Sequence, residues 1–516
     1  MSERFEDILA ARRNKLEEIR KAGIDPFPST TTRTHTNKQA VDLFDSLTDQ
    51  EISLVGRILS WRDMGKITFC QIEDGTGKIQ VLFKADDLGA DKYKFLIGTT
   101  DIGDFIEVSG TLFKTKTGEK TLAVGKGLDP SLQGHTNNQA YKLLAKSLRP
   151  LPDQHYGLAD EEIKLRKRYL DILMDPGVRD IFIKKNKFWS SMRTFLVQKG
   201  FLELEMPVLE AVPGGAEAEP FITHHNALNR DFYLRISLEL PLKKMLVAGY
   251  EKVFEIGRIF RNEGISPEHL QDYTQMEFYW AYGDFEKLME FCQEMYQYVI
   301  KETFGNLEIP YQGQIINWDG KWPRQDYFEL FKKYTGLDLN KASDKELKTY
   351  ADKHQIKYED FAGNGRLIDL IFKKTIRILP EVATQPSFLI NQPVELEPLA
   401  KRDPKNSKVV QRLQILACGS ELGKGFGELN DPVDQRARFD DQMKLRQAGD
   451  GEAQMLDEDY VEAMEYGMPP AAGFGVSERL FSVLMDKSIR ETVIFPPMKA
   501  SNLAKPTIDA STNSSK

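Results

Sequence analysis

Residues 258–280 read RIFRNEGISPEHLQDYTQMEFYW. Side chains alternate between the two faces of a strand. In the returning half, Tyr273, Gln275, Glu277 and Tyr279 therefore share one face, and Thr274, Met276, Phe278 and Trp280 share the other. The same parity in KVFEIGRIFRNE, residues 252–263, puts Ile259, Arg261 and Glu263 together. Paired as two strands joined by a polar loop, these segments set an arginine, two glutamates and two tyrosines on one surface. A solvated face carrying weak surface ion pairs is the alternative reading. The bulky aromatic underside, which anchors the sheet, and the loop residue His269 favour a built site. Arginine meets phosphate bidentately, a tyrosine ring can stack on a base, and glutamate accepts from an amine. The set suits a nucleotide together with an amino group.

Two further stretches carry chemistry. In SELGKGFGELND, residues 420–431, three closely spaced glycines allow close backbone approach to a ligand, and Glu421 and Glu428 flank them. In AGFGVSERLFSVL, residues 472–484, a glycine-rich strand runs into an amphipathic helix with Arg479 in its first turn and Ser477 placed to cap it. An arginine beside a helix N-terminus makes an anion site. The sequence contains no GxxxxGK[ST] loop and no HExxH pair.

The chain of 516 residues is too long for one ordinary core, so two or three domains are expected. No apolar run is long enough to span a membrane, and residues 1–23 are charged throughout, without a secretory apolar segment. Three separated cysteines, Cys70, Cys292 and Cys418, point to a reducing cytoplasm and away from a cysteine-based zinc site. A net charge of −8 gives no bulk support to nucleic-acid binding, which would need a local patch. Residues 5–22 read as an amphipathic helix with a solvated basic face that includes Arg12, stopped by Gly23 and Pro26. From 51 to about 128 short strands follow, with turn signals at Asp74-Gly75 and Thr117-Gly118. They suggest a small barrel, the OB-fold being one candidate. Phe69 and Gln80 on its central hairpin supply an aromatic and an amide, the groups that stack on and read bases; core packing is the alternative for the aromatic. A polar, proline-punctuated stretch at 129–160 reads as a junction.

Together these residues resemble the class II lysyl-tRNA synthetases of bacterial type, over nearly the whole chain. The family's first motif, a long helix and a strand ending in proline, is similar to IKKNKFWSSMRTFLVQKGFLELEMPVL with Pro207. Its second is the opening stretch, and its third resembles GFGVSER. Lysine-specific signatures are PGGAEAEPFITHHNAL (213–228), YLRISLEL (233–240) and GFGELNDPVDQR (425–436). The resemblance implies an α+β chain: an N-terminal OB-fold β-barrel followed by a catalytic domain built on an antiparallel sheet flanked by helices. The expected bounds are a basic helix and lead-in over 1–50, barrel and linker over 51–150, catalytic domain over 151–501 with a helical insertion at about 325–380, and a disordered tail over 502–516.

The resemblance also implies ATP-dependent ligation of L-lysine to tRNA(Lys) by a cytoplasmic homodimer using Mg²⁺, with no membrane partner. By it, Arg261 would bind the α-phosphate and the lysine carboxylate, Glu263 the adenine amino group and Arg479 the γ-phosphate. Tyr273 would stack on the base, and His269 belongs to the same ATP site. Gly215 and Glu239 would take the α-amino group, Glu428 and Tyr279 the ε-ammonium, and Phe426 the aliphatic stem. Glu421 and Glu428 are the expected metal ligands, and Phe69, Gln80 and Glu119 the expected anticodon readers. Two departures stand out: Gln414 replaces a usual metal-binding glutamate, and Lys424 replaces an asparagine that helps bind substrate. They support a second reading, a catalytically altered or inactive RNA-binding paralogue.

Overall fold

The computed structural model describes residues 2–125, 140–152, 160–264, 269–359 and 363–499. The expected junction at 129–160 falls largely outside them, and the expected tail at 502–516 falls wholly outside. Two compact units are present, Met1–Gly157 and Leu158–Lys516.

In the first unit, a helix (Ser2–Lys21) precedes six strands: β1 (Glu51–Asp63), β2 (Ile67–Glu73), β3 (Lys78–Lys84), β4 (Phe105–Lys114), β5 (Lys120–Val124) and β6 (Tyr141–Ala145). Their order is β1-β2-β3-β5-β4-β6, and a direct β1–β4 pairing closes the first five into an OB-fold barrel. Alternation does the work expected of it. Thr68, Cys70 and Ile72 point into the barrel, while Phe69 and Gln71 point outward. Both turn signals hold: Gly75 and Gly118 adopt φ of +87°, which glycine reaches without a Cβ penalty. Arg12 corrects the picture of a solvated helix face. It is buried, and its guanidinium donates to the carbonyls of Ile102 (3.0 Å), Ser147 (3.1 Å) and Arg149 (3.0 Å). A buried guanidinium needs such acceptors, so this side chain fastens the helix within the unit.

The second unit contributes β7 (Leu202–Glu203), β8 (Leu209–Glu210), β9 (Ile222–His225), β10 (Arg230–Leu234), β11 (Lys252–Phe260), β12 (Asp272–Ala281), β13 (Glu308–Tyr311), β14 (Gln314–Asn317), β15 (Arg324–Asp326), β16 (Ser387–Pro393), β17 (Val409–Ala417), β18 (Ser420–Gly427) and β19 (Ala471–Ser477). Eight of them form one sheet in the order β15-β16-β17-β18-β19-β12-β11-β7, antiparallel except at its two edge pairings. Helices over Tyr327–Thr335, Asp344–Lys353 and Asn364–Ile371 lie between β15 and β16 in the chain.

The two faces of β12 part as the alternation requires. Met276 and Phe278 join a core under the sheet with the helices Pro176–Gln198 and Phe285–Phe304. The Phe278 ring lies 5.1 Å from Phe201 and 5.2 Å from Phe291, centroid to centroid. Removing such a ring from a packed core costs about 3–5 kcal/mol, so this face holds the sheet firmly. Tyr273 and Tyr279 project to the opposite face.

One boundary differs from the sequence expectation. β11 ends at Phe260, so Arg261 and Glu263 are not strand residues. The Arg261 amide still bonds the Gln271 carbonyl at 2.9 Å, but the Asn262 amide turns away to Glu219 at 2.8 Å. That diversion ends the ladder and releases Glu263 into the loop.

Candidate active site

A cavity of about 1100 Å³ opens on the polar face of the large sheet. Its lining includes Gly215, Glu239, Arg261, Glu263, His269, Tyr273, Tyr279, Glu421, Phe426 and Arg479. Ten residues singled out in five separate stretches of sequence thus face one space. The physical cause is strand order: β18, β19, β12 and β11 are neighbours, so the glycine-rich strands lie directly beside the strand of Tyr273 and Tyr279.

At one end, Arg261 is aimed by a backbone carbonyl from 25 residues earlier in the chain. Its Nε and Nη2 both donate to the Ile236 carbonyl at 3.2 Å, and its guanidinium carbon sits 5.7 Å from the Tyr273 ring centroid. Arg479 is the first residue of the helix Arg479–Leu484. Ser477 is the last residue of β19 and Glu478 takes the cap position, its side chain engaged by Lys185; the Ser477 Oγ nevertheless accepts from the Arg479 amide at 3.4 Å, the first of the helix.

At the other end the cavity is acidic. Glu277 takes four donors: its Oε1 accepts from Ser237 Oγ (2.7 Å), the Leu238 amide (3.0 Å) and Gln275 Nε2 (2.5 Å), and its Oε2 from Tyr279 Oη (2.8 Å). Because the Tyr279 hydroxyl donates to Glu277, its lone pairs are left to accept from a ligand. Glu428 lies just behind the cavity wall, 1 % exposed. A Cβ on Gly473 would come within 2.2 Å of Glu428 Oε1 and 2.4 Å of Tyr279 Cε1, so only glycine lets the backbone pack this closely on the two side chains.

Sequence reasoning missed the group that joins these acids. Lys243, fully buried, donates to Glu239 Oε1 at 2.6 Å and makes an ion pair with Glu428 Oε2. Its ammonium also lies 5.3 Å from the Phe426 ring centroid and 5.8 Å from that of Tyr279. The available signal was the i, i+4 spacing of Glu239 and Lys243 on a helix. Burial pushes Glu239 up to about 7 against the pull of Lys243, and it raises Glu428 as well. Burial would lower Lys243, but Glu239 and Glu428 outweigh it and hold the ammonium well above its ordinary value. All three shifts favour retention of a proton by a cluster with one cation and two acids.

Glu428 as a metal ligand is corrected by this arrangement. It is held by Lys243, and seven residues of extended chain separate it from Glu421, roughly 20 Å of strand. Glu421 stands elsewhere, receiving Gln414 Nε2 at 2.7 Å. Burial acts to raise Glu421, but Arg412, Lys373, Lys424 and Arg377 together hold it below its usual value. Lys424 pairs with Glu397 at 3.0 Å. Among the described residues no three His, Cys, Asp or Glu side chains converge as a metal cage.

In the barrel unit, Gln80 lies opposite Gln71 and Thr121, and Phe69 opposite Arg62 and Leu82. Gln80 Oε1 accepts from Thr121 Oγ1 at 2.8 Å. Glu119 is exposed in the β4–β5 turn.

An OB-fold barrel in one unit, and in the other an antiparallel sheet bearing arginines at one end of its cavity and acids at the other, define a class II tRNA synthetase. The family model for class II tRNA synthetases (D, K and N) matches residues 160–499, and that for the OB-fold nucleic acid binding domain matches 52–127. The chain is 41% identical over 502 residues to a lysine–tRNA ligase of Pelotomaculum thermopropionicum, covering 96% of each chain. It is 42% identical over 497 residues to that of Carboxydothermus hydrogenoformans (96% and 98% covered) and 38% identical over 507 residues to that of Bacillus subtilis (96% and 98%). The chain belongs to the lysine–tRNA ligase family of class II synthetases. No helix among the described residues is long and apolar enough to cross a membrane.

Proposed function

We propose that the protein activates L-lysine with ATP and transfers it to tRNA(Lys) as a cytoplasmic homodimer. The observation that carries this reading is the pair of buried carboxylates, Glu239 in the wall and Glu428 just behind it, at one end of a cavity whose other end presents Arg261 and Arg479. Arg261 takes the α-phosphate and the amino-acid carboxylate, and Arg479 the γ-phosphate. Glu263 accepts from the adenine amino group, Tyr273 stacks on the base, and His269 borders the same site. Gly215 and Glu239 hold the α-ammonium. Glu428 and the Tyr279 hydroxyl receive the ε-ammonium, with Phe426 against the stem. The substrate carboxylate attacks the α-phosphorus and pyrophosphate leaves. The terminal tRNA hydroxyl then attacks the lysyl-adenylate carbonyl and AMP leaves. Orientation and charge neutralisation supply the catalysis, so no side-chain nucleophile is needed. Pyrophosphate exchange assayed with each amino acid tests the reading: lysine alone is expected to support it, and exchange with aspartate or asparagine, or with none, would overturn it.

Gln414 and Lys424 supported a non-catalytic reading. Both are accommodated, Gln414 by Glu421 and Lys424 by Glu397. Glu421, ionised and facing the cavity, fits a Mg²⁺ ion held mainly by substrate phosphates and water, as this cation prefers. When bound, that ion would neutralise phosphate charge. Gln414 contributes only a neutral oxygen. Restoring a carboxylate with Gln414→Glu is expected to lower the Mg²⁺ concentration giving half-maximal exchange; an unchanged titration would remove residue 414 from the metal site.

The outward-facing Phe69 and Gln80, with Glu119, support anticodon reading by the barrel. Phe69→Ala removes stacking worth about 1–3 kcal/mol per base. Charging of tRNA should weaken while lysyl-adenylate formation stays near normal. Equal loss of both activities would count against an anticodon role.

A further inference from the structure

We propose that Lys243 is a positioning residue that sets the distance between the two ammonium sites of the amino-acid pocket. The inference rests on the lysine reading above. It is carried by one geometric fact: a single ammonium touches both acids expected to hold the substrate. Lys243 Nζ binds Glu239 through Oε1 at 2.6 Å and Glu428 through Oε2. Lys243 thereby holds one oxygen of each carboxylate. Beyond that ion pair neither Glu428 oxygen has a hydrogen-bond partner among the described residues, and Oε1 lies against Gly473 beside Tyr279, both of which line the cavity. An orphaned, buried carboxylate oxygen calls for a cation.

The pinning residue is itself immobile. Lys243 is 0 % exposed, and the rings of Phe426 and Tyr279 flank its ammonium. Other charged and titratable groups around it are already committed. Glu277 takes four donors, three of them on Oε1, Glu397 is held by Lys424 and Arg412, and Tyr460 packs beside the Lys243 ammonium from the helix Glu458–Glu465. Glu239 and Glu428 come from chain segments far apart in sequence, so without the bridge their separation would be set only by packing. With it, one carboxylate fixes the α-ammonium and the other fixes where the ε-ammonium must arrive. A side chain one methylene shorter then fails to reach, because both ends are held. A plain hydrophobic pocket would relax around the shorter chain and discriminate by only about 10–200-fold per methylene.

The test compares lysine with ornithine, one methylene shorter, in pyrophosphate exchange by the full-length protein, its Lys243→Met variant and its Lys243→Gln variant. Lys243→Met keeps the stem and removes the bridge. KM for lysine should rise, KM for ATP should stay, and the lysine-to-ornithine ratio of kcat/KM should fall by roughly tenfold or more, as expected when a buried charge pair loses its shared partner. Lys243→Gln keeps an amide donor between the acids and should recover part of the ratio. A folded variant with the wild-type ratio overturns the proposal. So does loss of the folded state in both variants, judged by thermal unfolding, because Lys243 would then be a folding contact alone. Failure of the wild-type protein to activate lysine would instead overturn the functional reading.

Discussion

Glu428→Gln is expected to lower kcat/KM for lysine by roughly 10²–10⁴ while leaving ATP affinity unchanged. The size follows from burial. Glu428 is 1 % exposed, so an ammonium that reaches it leaves water behind. A buried charge that loses its partner costs about 3–5 kcal/mol, and each ~1.4 kcal/mol is one decade. An exposed pair would be worth only about 0–1 kcal/mol, which makes the magnitude itself diagnostic. The substitution is isosteric, and Lys243 retains Glu239 as a partner, so the fold should survive. ATP binding, assigned to Arg261, Glu263, Tyr273 and Arg479, is the control. A loss below about tenfold would remove Glu428 from lysine selection. Glu277 would then be the next acid to test, because it lines the cavity and its Oε2 takes only the Tyr279 hydroxyl among the described residues.

Much of this site was legible because strand geometry has period two. Tyr273, Gln275, Glu277 and Tyr279 had to share a face, and the aromatic alternates had to anchor it; both follow without tertiary information. Turns were equally local, since Gly75 and Gly118 take backbone angles that glycine favours. What stayed hidden depends on long-range contacts. Lys243 meets Glu428 from 185 positions away, and only the register of β18 on β19 brings that segment near the helix Glu239–Val247. Arg12 looked like a surface cation because a helical wheel cannot show the carbonyls of residues 102, 147 and 149 closing over it. The end of β11 was invisible for the same reason: the Glu219 carbonyl that draws off the Asn262 amide comes from another part of the chain. The resemblance implied Glu421 and Glu428 as metal ligands, and nothing local to either residue could show that Lys243 engages Glu428.

Arg261→Ala is expected to reduce lysine-dependent exchange by roughly 10³-fold or more, the scale seen when an arginine that neutralises phosphoryl-transfer charge is lost. Nε and Nη2 are spent on the Ile236 carbonyl, at 3.2 Å each, and so fix the plane of the fork. That leaves the second Nη2 hydrogen and both Nη1 hydrogens to meet ligand oxygens without the entropy cost of finding their pose. Arg261→Lys keeps the charge but loses the fork, because a single ammonium cannot hold the carbonyl and present a planar pair of donors; it should recover only a small part of the activity. Thermal stability should change little, since the bonds given up are to one carbonyl and net hydrogen bonds contribute about 1 kcal/mol. Because this arginine is assigned to both ATP and the amino-acid carboxylate, the defect should appear whichever substrate is varied, whereas Glu428→Gln should affect lysine alone. If Arg261→Lys exchanges at close to the wild-type rate, a point charge suffices, and the orientation imposed by Ile236 contributes nothing to catalysis.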